Sequence, residues 1–285
     1  MPKVSVLMPL YNTPEHYLRE AIESVLSQSF ADFELLLLND SPDNKGLDAI
    51  VASYPDARIR YIKNEKNLGI SRSRNILFDQ ATGEYLALMD HDDVSMPTRL
   101  EKQVAFLDAN PDVGVVSCQF ANYTSGTVSK KPIEDRDIKL ELMRSCALSH
   151  SAATIRKSVL VAHAVRYEER FSPAEDYGLW GRLIPITKFH NIDEALLRYR
   201  LHAGNTSQVQ KQKMKNATLA VAEYISALNP EIYREFLFRA THTSVFRLFG
   251  IIPLFSVSRK GKSTRIYLFK TIFIGSYKKS IRIVD

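Results

Sequence analysis

Three aspartates with the spacing of a metal or phosphate site follow a short apolar run, residues 85–89. They are Asp90, Asp92 and Asp93. Carboxylates this close repel one another, and each is costly to remove from water without a positive partner. A divalent cation that carries phosphate oxygens is a suitable partner, because Mg²⁺ binds one or two carboxylates together with substrate phosphates. A solvated turn that caps the helix after Pro97 would use the same residues, and the pattern alone leaves both interpretations open.

A second pair of acids, Glu175 and Asp176, follows Ser172 and Pro173, which are typical of a helix start. An acid in the first turn of a helix is stabilised by about 0.3–1 kcal/mol, so the pair could simply favour the helix. The functional interpretation is a general base at the mouth of a cleft. Trp180, the only tryptophan, would then pack behind it.

Two histidines lie close enough to predicted strands to reach the same cleft. His150 lies in residues 148–155, which we interpret as a strand facing the cleft, and a structural role or a modest contact is the simpler prediction for it. His202 follows a basic strand, residues 196–201, and could be either a third metal ligand or an ordinary surface histidine.

The elements that must position these residues alternate between strand and helix from the first residue to about 93. Apolar runs at 3–8, 33–38, 59–62 and 85–89 predict strands, and the segments at 14–28, 48–54 and from Ser71 predict helices. Continuously apolar strands indicate a sheet covered on both faces, which is typical of a parallel, doubly wound α/β fold. Such sheets bind ligands beyond the carboxyl ends of their strands, where the acids lie.

The rest of the chain continues the pattern and then changes character. We predict a helix to about 109, a strand at 113–118, a polar hairpin or loop at 119–131, a helix at 135–144 and helical structure over 205–229. Neither a G-x-G-x-x-G fingerprint nor a phosphate-binding G-x-x-x-x-G-K-[ST] loop occurs. We therefore predict one α/β domain over residues 1–205 and a helical, basic, amphipathic region over 206–285.

Composition is that of an ordinary globular protein, with 45% hydrophobic and 25% charged residues among 285. Cys118 and Cys146 lack metal-ligand spacing, which favours buried thiols in a reducing compartment. The chain begins directly with a strand pattern, so we expect no signal peptide. No apolar run approaches the ~20 residues of a membrane-spanning helix.

Positive charge is concentrated in the last 41 residues, although the net charge of the whole chain is only +6. From Val245 to Asp285 there are nine Lys or Arg and one acid, so this tail carries +8 and the remainder −2. Its basic and apolar residues suit an anionic membrane surface, although an appendage packed on the main domain would look similar. Without an aromatic stacking platform or a base-reading motif, we expect no binding of nucleic acid.

Taken together, the motifs resemble those of bacterial family-2 glycosyltransferases with the GT-A fold. The matching pieces occur in the family's order within residues 3–205, at 4–12, 21–30, 38–40, 67–75, 83–93 and 175–176. The basic tail also resembles transferases of lipopolysaccharide or capsule synthesis. The fold implied is Rossmann-like, with a mostly parallel sheet flanked by helices.

The resemblance implies a role for each candidate residue. Asp176 matches the catalytic base, Asp92 the metal ligand, and His202 an additional metal or phosphate contact. The positions implied for the nucleotide are Pro9, Tyr11, Asn12, Asp40 at the uracil, Arg72 near the base and diphosphate, and Asp90 toward the ribose. Glu175, His150 and Trp180 are given supporting roles.

The activity implied is transfer of a sugar, with inversion, from a nucleotide-sugar, most simply a UDP-sugar. Mn²⁺ or Mg²⁺ would bind the diphosphate, and the acceptor would be a hydroxyl of a growing surface glycan or glycolipid. The protein would then lie on the inner face of the cytoplasmic membrane. Two alternatives are a phosphoryl-transfer hydrolase with Asp90 as nucleophile, whose fold places this loop after the first strand, and an inactive GT-A-fold protein that binds membrane surfaces.

Overall fold

The structure is a computed structural model that describes residues 1–239 together with four strands at 243–248, 252–260, 263–269 and 278–283. Two compact units are present, residues 1–228 and residues 229–285. Every candidate site residue lies in the first unit.

The first unit is built on an eight-stranded sheet with the order β3-β2-β1-β4-β7-β6-β8-β5. The strands are β1 (Val4–Leu10), β2 (Phe33–Asn39), β3 (Ile59–Lys63), β4 (Tyr85–Leu88), β5 (Val94–Ser95), β6 (Val113–Asn122), β7 (Thr154–Arg156) and β8 (Lys188–Tyr199). Strands β3, β2, β1 and β4 are parallel neighbours, and β6 pairs in parallel with β8. Only β7 and the short β5 pair antiparallel with their neighbours in this sheet. The prediction of a mostly parallel α/β sheet is confirmed.

Helices flank the sheet. They are α1 (Glu15–Leu26), α2 (Lys45–Ala52), α3 (Ile70–Gln80), α4 (Arg99–Ala109), α5 (Asp135–Glu141), α6 (Lys157–Ala162), α7 (Glu175–Leu183), α8 (Thr206–Val209) and α9 (Lys211–Leu228). Helix α1 buries Leu18, Ala21, Ile22 and Val25, as their helical spacing predicts. Every residue of β1 and β2 is buried, which explains why neither strand alternates with polar residues.

The segment after the three aspartates differs from a simple helix cap. Residues Val94 and Ser95 pair with β8 as strand β5, so the chain stays extended, and α4 begins only at Arg99. Asp93 caps no helix. Its side chain is buried, and its Oδ1 accepts the backbone N–H of Arg200 at 2.9 Å.

The first unit continues past the predicted boundary at 205, because α9 packs on α7. Val221 and Ile225 of α9 are fully buried. Gly181 of α7 lies so close to Ile225 that a Cβ at this position would overlap the isoleucine side chain. Residues 206–228 therefore belong to the α/β unit.

The second unit contains α10 (Pro230–Arg239) and an antiparallel sheet with the order β12-β11-β10-β9. Its strands are β9 (Thr243–Leu248), β10 (Ile252–Lys260), β11 (Ser263–Phe269) and β12 (Lys278–Ile283). Residues 206–239 are largely helical, as predicted, and the described residues after them form the four strands. The later segments are rich in Val, Ile, Phe, Tyr and Thr, which favour pleated structure over a helix. Among the described helices, none has both the length and the apolar character needed to cross a bilayer.

Candidate active site

A cleft of about 700 Å³ opens at the carboxyl ends of β1, β2 and β4. Pro9 and Tyr11 at the end of β1, Asp40 directly after β2 and Asp90 two residues after β4 all line it. Because these strands are parallel neighbours, their ends bring together residues that are far apart in the sequence.

Asp40 lies at one end of the cleft and orders the loop that precedes α3. Its Oδ1 accepts hydrogen bonds from Asn64 Nδ2 at 2.7 Å and from the backbone N–H of Leu68 at 2.8 Å. Its Oδ2 accepts the backbone N–H of Gly69 at 2.9 Å and Asn67 Nδ2 at 3.2 Å. Four N–H donors therefore fix a largely buried carboxylate against the cleft.

Arg74 of α3 connects the two acidic sites. Its Nη1 donates to Glu175 Oε1 at 2.6 Å, and its Nη2 donates to Asp90 Oδ1 at 3.2 Å. Burial opposes the charge of Arg74 and that of Asp90. Attraction to Asp90 and Glu175 nevertheless raises the pKa of Arg74. The pKa of Asp90 is lowered in spite of its burial, because His150 and Arg74 stabilise its carboxylate.

His150 lies beneath Asp90, and its two ring nitrogens have different surroundings. Nε2 hydrogen-bonds the Tyr167 hydroxyl at 2.7 Å, while Nδ1 lies 3.7 Å from Asp90 Oδ1 and has no hydrogen-bond partner among the described residues. Trp180 is fully buried with its ring centroid 6.2 Å from that of His150. It therefore supports the cleft from behind and is not part of the cleft wall.

Asp92 is held by the turn after β8. Asp92 Oδ2 lies 2.9 Å from His202 Nε2 and accepts Asn205 Nδ2 at 3.2 Å. His202 Nδ1 accepts the backbone N–H of Gly204 at 3.1 Å, so in the neutral ring the proton is on Nε2 and is donated to Asp92. In this arrangement His202 orients the carboxylate and has no nitrogen lone pair left for a metal.

The donor set suits a cation that is shared with a substrate. Among the described residues, no group of three or more His, Cys, Asp or Glu side chains is arranged to hold a metal ion. Asp90 and Asp92 nevertheless both line the cleft, and both hydrogen bonds that the described residues donate to the Asp92 carboxylate fall on Oδ2. Two carboxylates are what Mg²⁺-type ions use when phosphate oxygens complete the coordination.

Asp93 takes no part in this wall of the cleft. Burial, together with the neighbouring Asp92 and Asp90, raises its pKa well above the usual value. Its Oδ2 has no hydrogen-bond partner among the described residues. The third aspartate is thus a buried structural residue that anchors Arg200.

Asp176 lies in the first turn of α7 and lines the same cleft. Its Oδ1 accepts the backbone N–H of Tyr177 at 2.7 Å, and its Oδ2 lies 3.9 Å from Cys146 Sγ. Burial, and next the charge of Asp176, raises the pKa of that thiol, so Cys146 stays neutral beside the carboxylate. Asp176 is placed to accept a proton from a molecule in the cleft.

The structure brings most of the predicted residues into one cleft wall. They are Pro9, Tyr11, Asp40, Asp90, Asp92, His150, Glu175, Asp176 and His202. Asn12 is not among them. It is exposed, with a φ of 46°, and its backbone N–H donates to Ser41 Oγ at 3.0 Å.

Arg72 also lies outside the cleft wall, whereas Arg74 lines it. The Arg72 side chain is 57% exposed and pairs with Glu169 through Nε at 2.5 Å. Residues at positions i and i+2 of a helix lie on nearly opposite sides, so on α3 Arg72 points outward and Arg74 points inward. The helical phase of α3 would have been the signal for choosing Arg74.

Sequence reasoning also missed the wall formed by the segment after His202. Residues Gly204, Asn205, Thr206, Gln210, Lys213, Met214 and Thr218 all line the cleft, and so does Lys131 from the loop after β6. These positions carry no motif, and only the packing of α9 on α7 places them there.

Comparison with known proteins agrees with this geometry. The family described as Glycosyl transferase family 2 matches residues 5–160. An uncharacterized glycosyltransferase of Methanocaldococcus jannaschii is 36% identical over 223 residues, which cover 75% of this chain and 76% of that protein.

Two solved structures show the same fold. Staphylococcus aureus TarS 1-349 in complex with UDP-GlcNAc aligns with a TM-score of 0.68 and 21% identity, covering 82% of this chain and 71% of that one. The mannosyltransferase PcManGT from Pyrobaculum calidifontis, in complex with GDP-Man and Mn²⁺, aligns with a TM-score of 0.55 and 14% identity, covering 80% and 75%. On its sequence match and its GT-A-like fold, the chain belongs to glycosyltransferase family 2 and is a glycosyltransferase.

Proposed function

We propose that the protein transfers a sugar from a UDP-sugar to a hydroxyl of a growing surface glycan, with inversion at the anomeric carbon. The observation that carries the proposal is one cleft that holds Asp40, the Asp90–Asp92 pair and Asp176. These three positions would face, in order, the nucleoside of the donor, its diphosphate and the nucleophilic hydroxyl of the acceptor.

The nucleotide half of the cleft suits a uridine. Asp40 already accepts two N–H hydrogen bonds on each oxygen, so an imino N–H of the base would replace one of the four, most readily the longest, from Asn67 Nδ2 at 3.2 Å. Tyr11 is 55% exposed in the cleft, so its ring is available for stacking on a base. The UDP-GlcNAc complex of TarS, which shares this fold, supports the choice of a UDP-sugar.

Asp90 and Asp92 would hold Mn²⁺ or Mg²⁺ together with the diphosphate. Such an ion, when bound, neutralises the charge that develops on the leaving diphosphate. His202 and Asn205 fix Asp92, and Arg74 fixes Asp90, so the carboxylates are oriented before any ligand arrives. The Mn²⁺ bound to PcManGT supports the choice of metal.

Asp176 would deprotonate the acceptor hydroxyl. A sugar hydroxyl is a weak nucleophile, and a positioned base typically contributes 10²–10⁴-fold to the rate. Inversion requires attack opposite the leaving group, and Asp176 and Asp92 belong to separate elements that line one cleft. Glu175 would not act as the base, because its Oε1 is paired with Arg74 inside the protein.

The acceptor would be a glycan or glycolipid at the inner face of the cytoplasmic membrane. The basic tail, residues 245–285, with nine Lys or Arg and one acid, would bind anionic lipids. The alternative of an inactive binding protein has no support from the cleft, where Asp90, Asp92 and Asp176 are all present.

Calorimetric titration of UDP tests the proposal directly. We expect binding in Mn²⁺ that weakens at least tenfold in EDTA, and equal loss in the Asp92→Asn variant. The exposed Asp112→Asn change, on the loop before β6, is the matched control and should bind normally. If another nucleoside diphosphate binds in place of UDP, the donor is corrected, and if none binds, the proposed function is wrong.

A further inference from the structure

The segment from Leu201 to Ala222 forms one side of the cleft and presents a second face to solvent. Within it, eight residues line the cleft: His202, Gly204, Asn205, Thr206, Gln210, Lys213, Met214 and Thr218. The exposed residues of the segment that do not line the cleft include three large apolar and two basic ones: Leu201, Val209, Leu219, Lys211 and Lys215. We call these five the cleft lip.

The apolar members of the cleft lip are unusually open to water. Leu201 is 51% exposed, Val209 67% and Leu219 58%. Each is adjacent in sequence to a cleft-lining residue: Leu201 to His202, Val209 to Gln210 and Leu219 to Thr218. Single exposed apolar residues need no explanation, but three in one segment that also lines the cleft are apolar area that a partner could bury.

The charge of the same segment indicates the partner. Residues 201–222 contain three lysines and neither Asp nor Glu. Lysines beside exposed aliphatic side chains are typical of surfaces that lie in the headgroup region of an anionic bilayer. A soluble polyanion would use the lysines but would leave Val209 and Leu219 in water.

We infer that the cleft lip contacts an anionic membrane surface, so that the cleft opens toward the lipid headgroups. A lipid-linked acceptor could then reach Asp176 without leaving the bilayer. The contact belongs to residues 1–228 and is separate from the basic tail. It goes beyond the proposed function and can be measured without turnover.

The first test measures partition of the full chain onto vesicles of phosphatidylcholine with about one third phosphatidylglycerol. Neutralising Lys211 and Lys215 together (K211Q/K215Q) should lower the partition coefficient about 30-fold, because each lysine near such a surface contributes about fivefold. The control K45Q/K188Q removes the same charge from two exposed lysines on α2 and β8 and should change binding less than threefold. Equal loss in both variants would overturn the inference in favour of a general charge effect.

A second test locates the contact. Trp180 is fully buried, so a tryptophan introduced on the surface reports its own environment. V209W should be quenched by brominated lipid in the same anionic vesicles, and K45W should not. An unquenched V209W in vesicle-bound protein would mean that the tail alone makes the contact, and the inference would fail.

A third variant separates the bilayer from other polyanions. V209S/L219S should weaken vesicle partition about tenfold or more while leaving heparin binding unchanged, because only a bilayer buries these side chains. Unchanged vesicle partition in this variant would overturn the inference. None of the altered residues lines the cleft, so Mn²⁺-dependent UDP binding should be normal throughout, which distinguishes a failure here from a failure of the proposed function.

Discussion

Arg74 and Glu175 form a buried ion pair, with 2.6 Å between Nη1 and Oε1, although 101 residues separate them in the sequence. The same guanidinium reaches Asp90, so one side chain fixes the distance between the strand that ends in the acidic motif and the helix that carries Asp176. Both charges are almost fully buried, and each depends on the other for compensation.

Removing Arg74 should therefore be costly. R74M leaves Glu175 and Asp90 without their cation, and we expect the free energy of unfolding in urea to fall by about 3–5 kcal/mol. R72M, two residues away, removes an exposed pair and should cost less than about 1 kcal/mol. The double variant R74M/E175Q should recover part of the loss, and strict additivity of the two single changes would show that the pair is not coupled.

Asp176→Asn should separate binding from transfer. The amide keeps the shape of the side chain but cannot accept a proton, so turnover of the sugar donor should fall about 10²–10⁴-fold with UDP affinity unchanged. Asp79→Asn, an exposed change on α3, is the control for a loss of one charge. Retained activity in D176N would mean that another group deprotonates the acceptor.

His202 should act through Asp92 and not through a bond to the metal. The glutamine in H202Q can still donate an N–H to Asp92 Oδ2, so Mn²⁺-dependent UDP binding should remain within about threefold of the original. H202A cannot, and its affinity should fall about 10-fold or more, as for other residues that orient a metal ligand. Equal losses in both variants would instead favour direct ligation.

Glu34 should make the first unit sensitive to acid. It is buried between β1 and β3, and although burial opposes its ionisation, hydrogen bonds from Ser5, Thr82 and Arg60 lower its pKa to about 2. Because the folded pKa lies below the ordinary value near 4.5, the stabilisation is present above pH 4.5 and is lost as pH falls toward 2.

That linkage has a direct measurement. The free energy of unfolding should decline by roughly 2–3 kcal/mol more between pH 5 and pH 2 in the original protein than in E34Q. E65Q, an exposed change on the loop before α3, should keep the original slope. Parallel pH profiles for the original protein and E34Q would contradict the assignment.

The sheet and the main acidic residues could be predicted from the sequence, for a physical reason. Apolar runs of strand length are local signals, and parallel strands bring their carboxyl ends to one edge wherever they lie in the sequence. Asp40 and Asp90 each follow such a run within two residues, which is why both lie in the cleft.

What could not be predicted depended on orientation and distant packing. Recognising that Arg74 and not Arg72 faces the cleft required the rotation of α3 about its axis, and contacts of Arg74 with Glu175 and Tyr167, far along the chain, set that rotation. The end of the first unit required the contact between Gly181 and Ile225, and neither residue signals it alone. In the tail, the mixture of basic and apolar residues is compatible with either a helix or a strand. Pairing between β9, β10, β11 and β12 makes these segments strands.

The partners of Asp92 also have a consequence for synthesis of the protein. His202 and Asn205 come 110 and 113 residues after the carboxylate that they hold. On the ribosome, the three aspartates are therefore translated well before the residues that orient Asp92. Contacts between residues so far apart in the sequence form late in folding. A nascent chain that ends before residue 205 should lack an ordered diphosphate site, so affinity for the nucleotide should appear only after His202 and Asn205 have been translated.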